Sequence, residues 1–282
     1  MRIGISGASG RLGLATLAEL QQRGGHSIIG ISRTPERLAA PTEARYGDYD
    51  KPESLIQAYS GLDRLLIIPS SDLRPGVRGG QFRAAIDAAV QVGVGHIFLV
   101  SAVSTHEVSD PSSLAAAYWV GEQHLIKNSP RWTILRMNYF AESMAEEIQM
   151  SKGADVLAGF GDERVAYVSR DDLAAATAGA LVSEGHVGAI YNATGSAIVT
   201  GPDRAAILSE IYGKPVQFVV VTKEQFRAGL SQANLPEPIM DVFCEIKTDF
   251  IEGKFDILTG DLVRLAGRSP KSLRDVLATA LA

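Results

Sequence analysis

Residues 3–13 read IGISGASGRLG. A short apolar run meets three glycines, Gly7, Gly10 and Gly13, with Arg11 set among them. In a GxxGxxG spacing between a strand and a helix, each glycine has its own task. The first permits the tight bend, the second lets a pyrophosphate approach the backbone, and the third lets the helix pack closely on the sheet. The helix start adds N–H donors and the positive end of its dipole. A glycine triplet alone is also compatible with a plain tight turn. Its position, opening at the seventh residue between a strand and a helix, favours a dinucleotide site. Ser9 and Leu12 lie on the same turn and join Gly7, Gly10, Arg11 and Gly13 as expected cofactor contacts.

The first half of the chain repeats that strand–helix alternation. Apolar runs at 3–6, 27–32, 64–69, 96–101 and 132–137 read as buried strands bounded by Gly, Pro or polar residues. Segments 11–23, 52–60, 80–92 and 112–128 have helical composition. Gly13, Leu17 and Leu20 share one face of the first, and Phe82, Ile86, Ala89 and Val90 share one face of the third. The expectation is an α/β fold, a Rossmann-type doubly wound parallel sheet with a smaller mixed α/β C-terminal lobe. Residues 1–138 form the dinucleotide-binding domain, with a late strand near 188–193. Residues 139–187 and 194–282 form the smaller, substrate-binding lobe closing over the carboxyl edge of the sheet. In that lobe Asp171 or Asp172 is expected to cap a helix. Helices are read at 202–213 and 223–232, a strand at 216–221, and two closing helical stretches after 261.

The end of the second strand selects the dinucleotide. A site for NAD usually places an acid there to accept from the ribose 2′-OH. Here the chain reads GISRTPER, with Ser32 and Arg33 and no acid at that point. A guanidinium pairs with a 2′-phosphate that a carboxylate would repel. Arg11 and Arg33 together are therefore read as a clamp for NADPH; the alternative is that each is a solvated surface arginine. Asp48, in Gly47-Asp48-Tyr49, is expected near the adenine, and Pro69, Ser70 and Ser71 on the path toward the nicotinamide. Ser101, closing the apolar run 96–101, completes the expected cofactor set. Plain polar loops are the alternative for the two loop segments.

Composition excludes several classes of function. The chain has 282 residues and a net charge of −5, and no Lys/Arg block offsets that average, so neither nucleic acid nor a membrane surface is an expected partner. The lone Cys244 excludes an internal disulfide framework, fits a reducing cytoplasm, and is read as a core filler. No signal peptide is expected before the glycine turn. The longest apolar runs, LLIIP and HIFLV, fall far short of a membrane span. Histidines 26, 96, 106, 124 and 186 are scattered without metal-ligand spacing, so no metal site is expected. There is no GxSxG elbow.

Several pieces carry a family resemblance: ISGASGRLG, SRTPER, GDYDKPESL, LLIIPSS, QFRAAIDAAVQVGVGHIFLVS, WTILRMNYFAES, VSRDDLAAA and YNATG. In that order, over most of the chain, they resemble the NmrA-like atypical short-chain dehydrogenase/reductases. The likeness is strongest to the bacterial type 2 NAD(P)H:quinone oxidoreductases, with triphenylmethane reductases as near relatives. The resemblance implies NADPH across the carboxyl edge of the sheet and a substrate cleft between the lobes.

That superfamily uses a tyrosine with a lysine four residues later, the ammonium easing proton transfer. Here Tyr118 is followed by Glu122, and a carboxylate acts on a phenol in the opposite sense to an ammonium. Tyr118 is kept as a weak catalytic candidate, with packing or substrate contact as its other reading. Quinone reduction asks for little more than an apolar slot that stacks the acceptor within hydride reach. Asn138, Tyr139 and Phe140 are expected to wall such a slot, with His106 as a further substrate candidate. The expected activity is NADPH-dependent reduction of a quinone or similar flat, conjugated small molecule. A non-catalytic NADP(H) sensor and a reductase of a dye, enone or imine remain open. The oligomeric state is also open, with a homodimer compatible.

Overall fold

The computed structural model describes residues 1–38, 43–108, 110, 113–150 and 155–282. The expected helix start at Ser112 and the end of the ESMAEEIQMSKG stretch fall outside them. Backbone contacts divide the chain into two units. The larger comprises 1–137, 170–193 and 261–268; the smaller comprises 138–169, 194–260 and 269–282.

The larger unit holds strands β1 (Arg2–Ser6), β2 (Ser27–Ser32), β3 (Glu43–Tyr46), β4 (Arg64–Ile67), β5 (His96–Ala102), β6 (Trp132–Met137) and β9 (Ala189–Ala193). They form one seven-stranded sheet in the order β3-β2-β1-β4-β5-β6-β9, and every pairing is parallel. Covered on both faces, the central strands can be apolar throughout; Ile3, Ile5, Leu65, Leu66, Ile97 and Phe98 are all inaccessible. Strand order reverses between β1 and β4. In open parallel sheets, ligands bind in the crevice outside the carboxyl ends of the strands that flank such a reversal.

Helices α1 (Arg11–Arg23), α2 (Pro52–Tyr59), α3 (Val77–Gln91) and α4 (Leu114–Asn128) connect the strands. Helix α1 buries Leu12, Gly13, Thr16, Leu17 and Leu20 on one face. Helix α3 begins three residues before the expected Gly80, and Val90 lies on its exposed side rather than with Phe82, Ile86 and Ala89. Helix α6 (Arg170–Val182) joins this unit, although the sequence places 139–187 in the smaller lobe. Its run of small residues explains the correction. Every residue from Asp172 to Leu181 is buried, and α6 packs flush against α1 and α10 (Asp261–Ala266). A Cβ at Gly179 would lie 1.9 Å from the Leu265 carbonyl oxygen. Asp171 and Asp172 sit inside the first turn of α6, one and two residues past its start, where a carboxylate favours the helix dipole.

The smaller unit holds α5 (Ala141–Met150), α7 (Gly201–Tyr212), α8 (Lys223–Gln232), α9 (Glu237–Ile251) and α11 (Leu273–Ala280). Two short sheets accompany them: β7 (Val156–Gly159) pairs in parallel with β11 (Gln217–Val220), and β8 (Arg164–Val165) pairs antiparallel with β10 (Val199–Thr200). Thr200 with Asp203 and Thr222 with Gln225 make capping boxes that start α7 and α8. Helix α9 has no counterpart in the sequence reading. Its stripe of Met240, Phe243, Cys244 and Phe250 is interrupted by Lys247. Cys244 is 1% exposed, and burial pushes its thiol up, as suits a core filler. No helix among the described residues is long and apolar enough to cross a membrane.

Candidate functional site

The glycine turn sits at the carboxyl end of β1, beside the strand-order reversal. Gly7 has φ of +89°, a left-handed value that side chains disfavour, and its N–H and that of Ala8 both donate to the Ile31 carbonyl, each at 3.0 Å. A Cβ at Gly13 would lie 2.4 Å from Gly7 O and 2.7 Å from Ala8 Cα, both backbone atoms, so only glycine fits there. At Gly10 the nearest atom to such a Cβ is Gly7 O at 3.3 Å. Gly10 is the N-cap of α1 and no side chain caps that helix start. Ser9, Gly10 and Arg11 are exposed while Leu12 is buried. The turn thus presents backbone donors and an arginine outward.

At the end of β2, Ser32 is buried and its hydroxyl accepts from the Thr34 N–H at 2.8 Å. Arg33 is exposed, and among the described residues its guanidinium has no ion-pair partner.

The next two loops are tied to each other. The Tyr49 hydroxyl donates to the Ile68 carbonyl at 2.8 Å, and burial pushes that phenol up, so it stays a donor. Ser70 donates to the Gln81 side-chain oxygen, and Gln81 Nε2 donates to Asp50 Oδ1 at 2.9 Å. Asp48, whose Oδ1 accepts from the Asp50 N–H at 3.1 Å, shapes the first of these loops. Gly47 is required as well, since a Cβ there would meet Ile31 Cγ2 at 2.5 Å. Pro69 and Ser71 lie on the second loop, Ser71 exposed. The geometry therefore joins the Asp48 and Pro69–Ser71 segments at one end of the sheet.

Ser101 is fully buried, and its hydroxyl has no hydrogen-bond partner among the described residues. Leaving such a group unmet costs about 1–3 kcal/mol. Tyr118, on α4, is 3% exposed and packs against Phe82, ring centroids 6.0 Å apart. Its hydroxyl accepts from Arg78 Nη1 at 3.3 Å. Arg78 is 7% exposed, and its Nε lacks a partner among the described residues. The sequence pattern does not show this residue, because Val77, Arg78 and Gly79 precede the expected helix start at Gly80. The available signal was its place at the head of the buried stripe 78, 82, 85 and 89. Glu122 is fully buried and gripped by Arg136, with Nε on Oε1 at 2.9 Å and Nη2 on Oε2 at 2.6 Å. Its charge is therefore matched across α4 and β6. In the loop after β5, His106 Nδ1 donates to the Ser104 carbonyl at 2.7 Å.

The smaller unit carries the other three candidates. Asn138 is 1% exposed; its Nδ2 donates to the Phe255 carbonyl at 3.1 Å and its Oδ1 accepts from the Tyr139 N–H at 2.7 Å. The Tyr139 hydroxyl donates to Glu147, and its ring is met by Tyr167, Phe250 and Phe255 in near-perpendicular contacts. Burial first, then the Glu147 carboxylate, pushes the Tyr139 phenol well up. Phe140 is half-buried and bridges to Val168. The polar atoms of Asn138 and Tyr139 thus serve their own unit.

The larger unit fits a nicotinamide dinucleotide on three counts. Its turn has no room for a Cβ at Gly13, no acid closes β2, and no side chain caps the start of α1 at Gly10. Comparison with known proteins agrees. A family model described as NAD(P)H-binding matches residues 7–184. Quinone oxidoreductase 2 of Escherichia coli is 29% identical over 279 residues, covering 97% of this chain and 96% of that protein. The crystal structure of the E. coli NADPH-dependent quinone oxidoreductase with NADPH superposes with a TM-score of 0.91 at 28% identity, covering 99% of this chain and 100% of that one. Triphenylmethane reductase of Citrobacter sp. gives a TM-score of 0.90 at 28% identity, covering 100% of this chain and 99% of that one.

Proposed function

Because the chain belongs to the NAD(P)H-binding family, we propose that it is a reductase that uses NADPH to reduce a quinone or a similar flat, conjugated small molecule. The observation that carries this reading is the Gly7–Gly13 turn at the strand-order reversal, with Arg33 standing exposed where an NAD site would place an acid. The likeness to quinone and dye reductases over nearly the whole chain supports the acceptor class.

NADPH, when bound, supplies the hydride. The protein's part is to hold and orient. The first-turn amides of α1 and the backbone at Gly10 receive the pyrophosphate, helped by the helix dipole. Ser9 and Leu12 border that turn. Arg11 and Arg33 take the 2′-phosphate through charge-assisted hydrogen bonds. Asp48 would meet the adenine, and Pro69, Ser70 and Ser71 would line the path to the nicotinamide.

A quinone is already electrophilic, so the proton is the lesser demand. Tyr118 is the candidate donor, its hydroxyl held by Arg78. His106 is a further substrate candidate in the larger unit, while Asn138 and Tyr139 commit their polar atoms within the smaller one. The test is NADPH oxidation with a panel of quinones, with NADH as control. Saturable, quinone-dependent oxidation preferring NADPH is expected. Tight NADPH binding without turnover on quinones, dyes, enones or imines would replace the reductase with an NADP(H) sensor.

A further inference from the structure

The smaller unit contains an apolar pocket of about 270 Å³, bounded by α5, β7, α8 and α9. Helix α8 explains why it is there. Phe226, Gly229 and Leu230, with Ala233 just past the helix end, recur at i, i+3, i+4 and i+7, the spacing of a helix with one apolar face. A helix of that kind normally buries its stripe in a core. None of the α8 residues is buried, and all four positions of the stripe line the pocket instead. A Cβ added at Gly229 meets no atom within 4 Å. The sequence has built an apolar face, and the fold leaves it facing open volume.

One end of the pocket is polar. Lys247, 3% exposed, reaches it from α9, and its Nζ is 3.1 Å from Oε2 of Glu147 on α5. The other Glu147 oxygen accepts from Tyr139, and the Lys247 ammonium lies 5.1 Å from the Phe250 ring centroid. An ammonium carries three donors. Among the described residues only the Glu147 carboxylate accepts from this one. Buried donors are normally answered, so Lys247 is short of an acceptor at the end of an apolar pocket.

The charge balance then restricts the occupant. Lys247 and Glu147 already neutralise each other. An anionic or cationic ligand would bring a second charge into a desolvated site with no counter-ion left for it. A hydrocarbon would leave the ammonium donors unmet. We propose that this pocket is a small-molecule site, built wholly within the smaller unit, for a neutral amphiphile. The ligand has an apolar body against the α8 stripe and one hydroxyl or carbonyl oxygen accepting from Lys247. Such a site stands whether or not the chain reduces quinones, since none of its lining residues belongs to the glycine turn.

Calorimetric titration of the whole protein with 4-butylphenol, butylbenzene and 4-butylbenzoate tests it. The phenol is expected to bind saturably, one per chain, and to bind at least about tenfold more tightly than either the benzoate or the hydrocarbon. Gly229→Leu fills the pocket at a helical position and is expected to weaken the phenol by at least about tenfold. NADPH affinity should stay as it was, which shows the variant folded. Ala158→Leu, from β7, is expected to act in the same direction. The proposal is overturned by failure of the phenol to saturate, by benzoate or hydrocarbon binding as tightly as the phenol, or by unchanged phenol affinity in folded Gly229→Leu.

Discussion

The Arg78 guanidinium lies 5.4 Å from the centroid of the Tyr118 ring, and its Nη1 stands 3.3 Å from the Tyr118 hydroxyl. A cation therefore reaches this phenol from α3, while the position four residues past Tyr118 carries a glutamate already engaged by Arg136. The arrangement supplies charge from a different element than the sequence pattern suggests.

That relationship makes Tyr118→Phe informative. Quinone turnover is expected to fall by less than about tenfold, because general acid catalysis worth about 10²–10⁴-fold is needed only where the acceptor demands a proton in the transition state. NADPH affinity should not change. A loss of about 10²-fold or more in kcat with a quinone would instead make Tyr118 the general acid.

Arg33→Ala tests cofactor choice. Removing a guanidinium from a phosphate costs about 1.5–3 kcal/mol, so NADPH is expected to bind about 10- to 100-fold more weakly. NADH, which has no 2′-phosphate, should be nearly unaffected. Fluorescence titration with both cofactors gives the ratio; equal losses, or none, would remove Arg33 from the clamp.

Two glycine substitutions separate folding from binding. Gly13→Ala forces a Cβ against Gly7 O at 2.4 Å and Ala8 Cα at 2.7 Å, and overpacking of that kind costs about 1–3 kcal/mol of stability. Gly10→Ala meets only Gly7 O at 3.3 Å and is expected to stay within about 1 kcal/mol. Its new methyl group faces the phosphate position, so NADPH affinity should fall instead. Denaturant unfolding and cofactor titration of both variants check the split, and a reversed order would contradict this account of the turn.

His96 gives a pH dependence. Burial first, and then the Arg64 charge, lower its pKa from 6.5 to about 4. Below pH 6.5 the unfolded chain takes up a proton that the folded chain refuses. Stability is therefore lost as pH falls from 6.5 toward 4, with about 2 kcal/mol gone at pH 5. Thr133 Oγ1 gives its proton to His186 O and so accepts from His96 Nε2, a bond that His96→Gln can keep. Urea unfolding at pH 7 and pH 5 should show a smaller drop for His96→Gln by about that amount. Identical drops would show that His96 is not the group responsible.

The strands and the glycine turn were legible because their causes are local. A strand covered on both faces is a continuous apolar run, and Gly13 is required by backbone atoms five and six residues away. Arg78 was not legible, because Gly79 and Gly80 lower helix propensity and hide the true start of α3. Lys247 broke the stripe of α9 and concealed that helix in the same way. The alanine-rich composition of α6 announces close packing without saying against what. Asn138 was assigned a ligand although its partner, Phe255, stands 117 residues further on, a distance no periodicity reports.

The larger unit is assembled from three separate stretches of chain. During synthesis β6 would leave the ribosome as an open edge, with Ile134 and Leu135 and its backbone groups unpaired until β9 follows more than fifty residues later. Such edges invite pairing with other chains. Helix α10, which covers α6, arrives only after residue 261. The nucleotide-binding unit therefore cannot finish folding before most of the smaller one has been made, and a nascent chain halted near residue 140 would be a target for chaperones rather than a working domain.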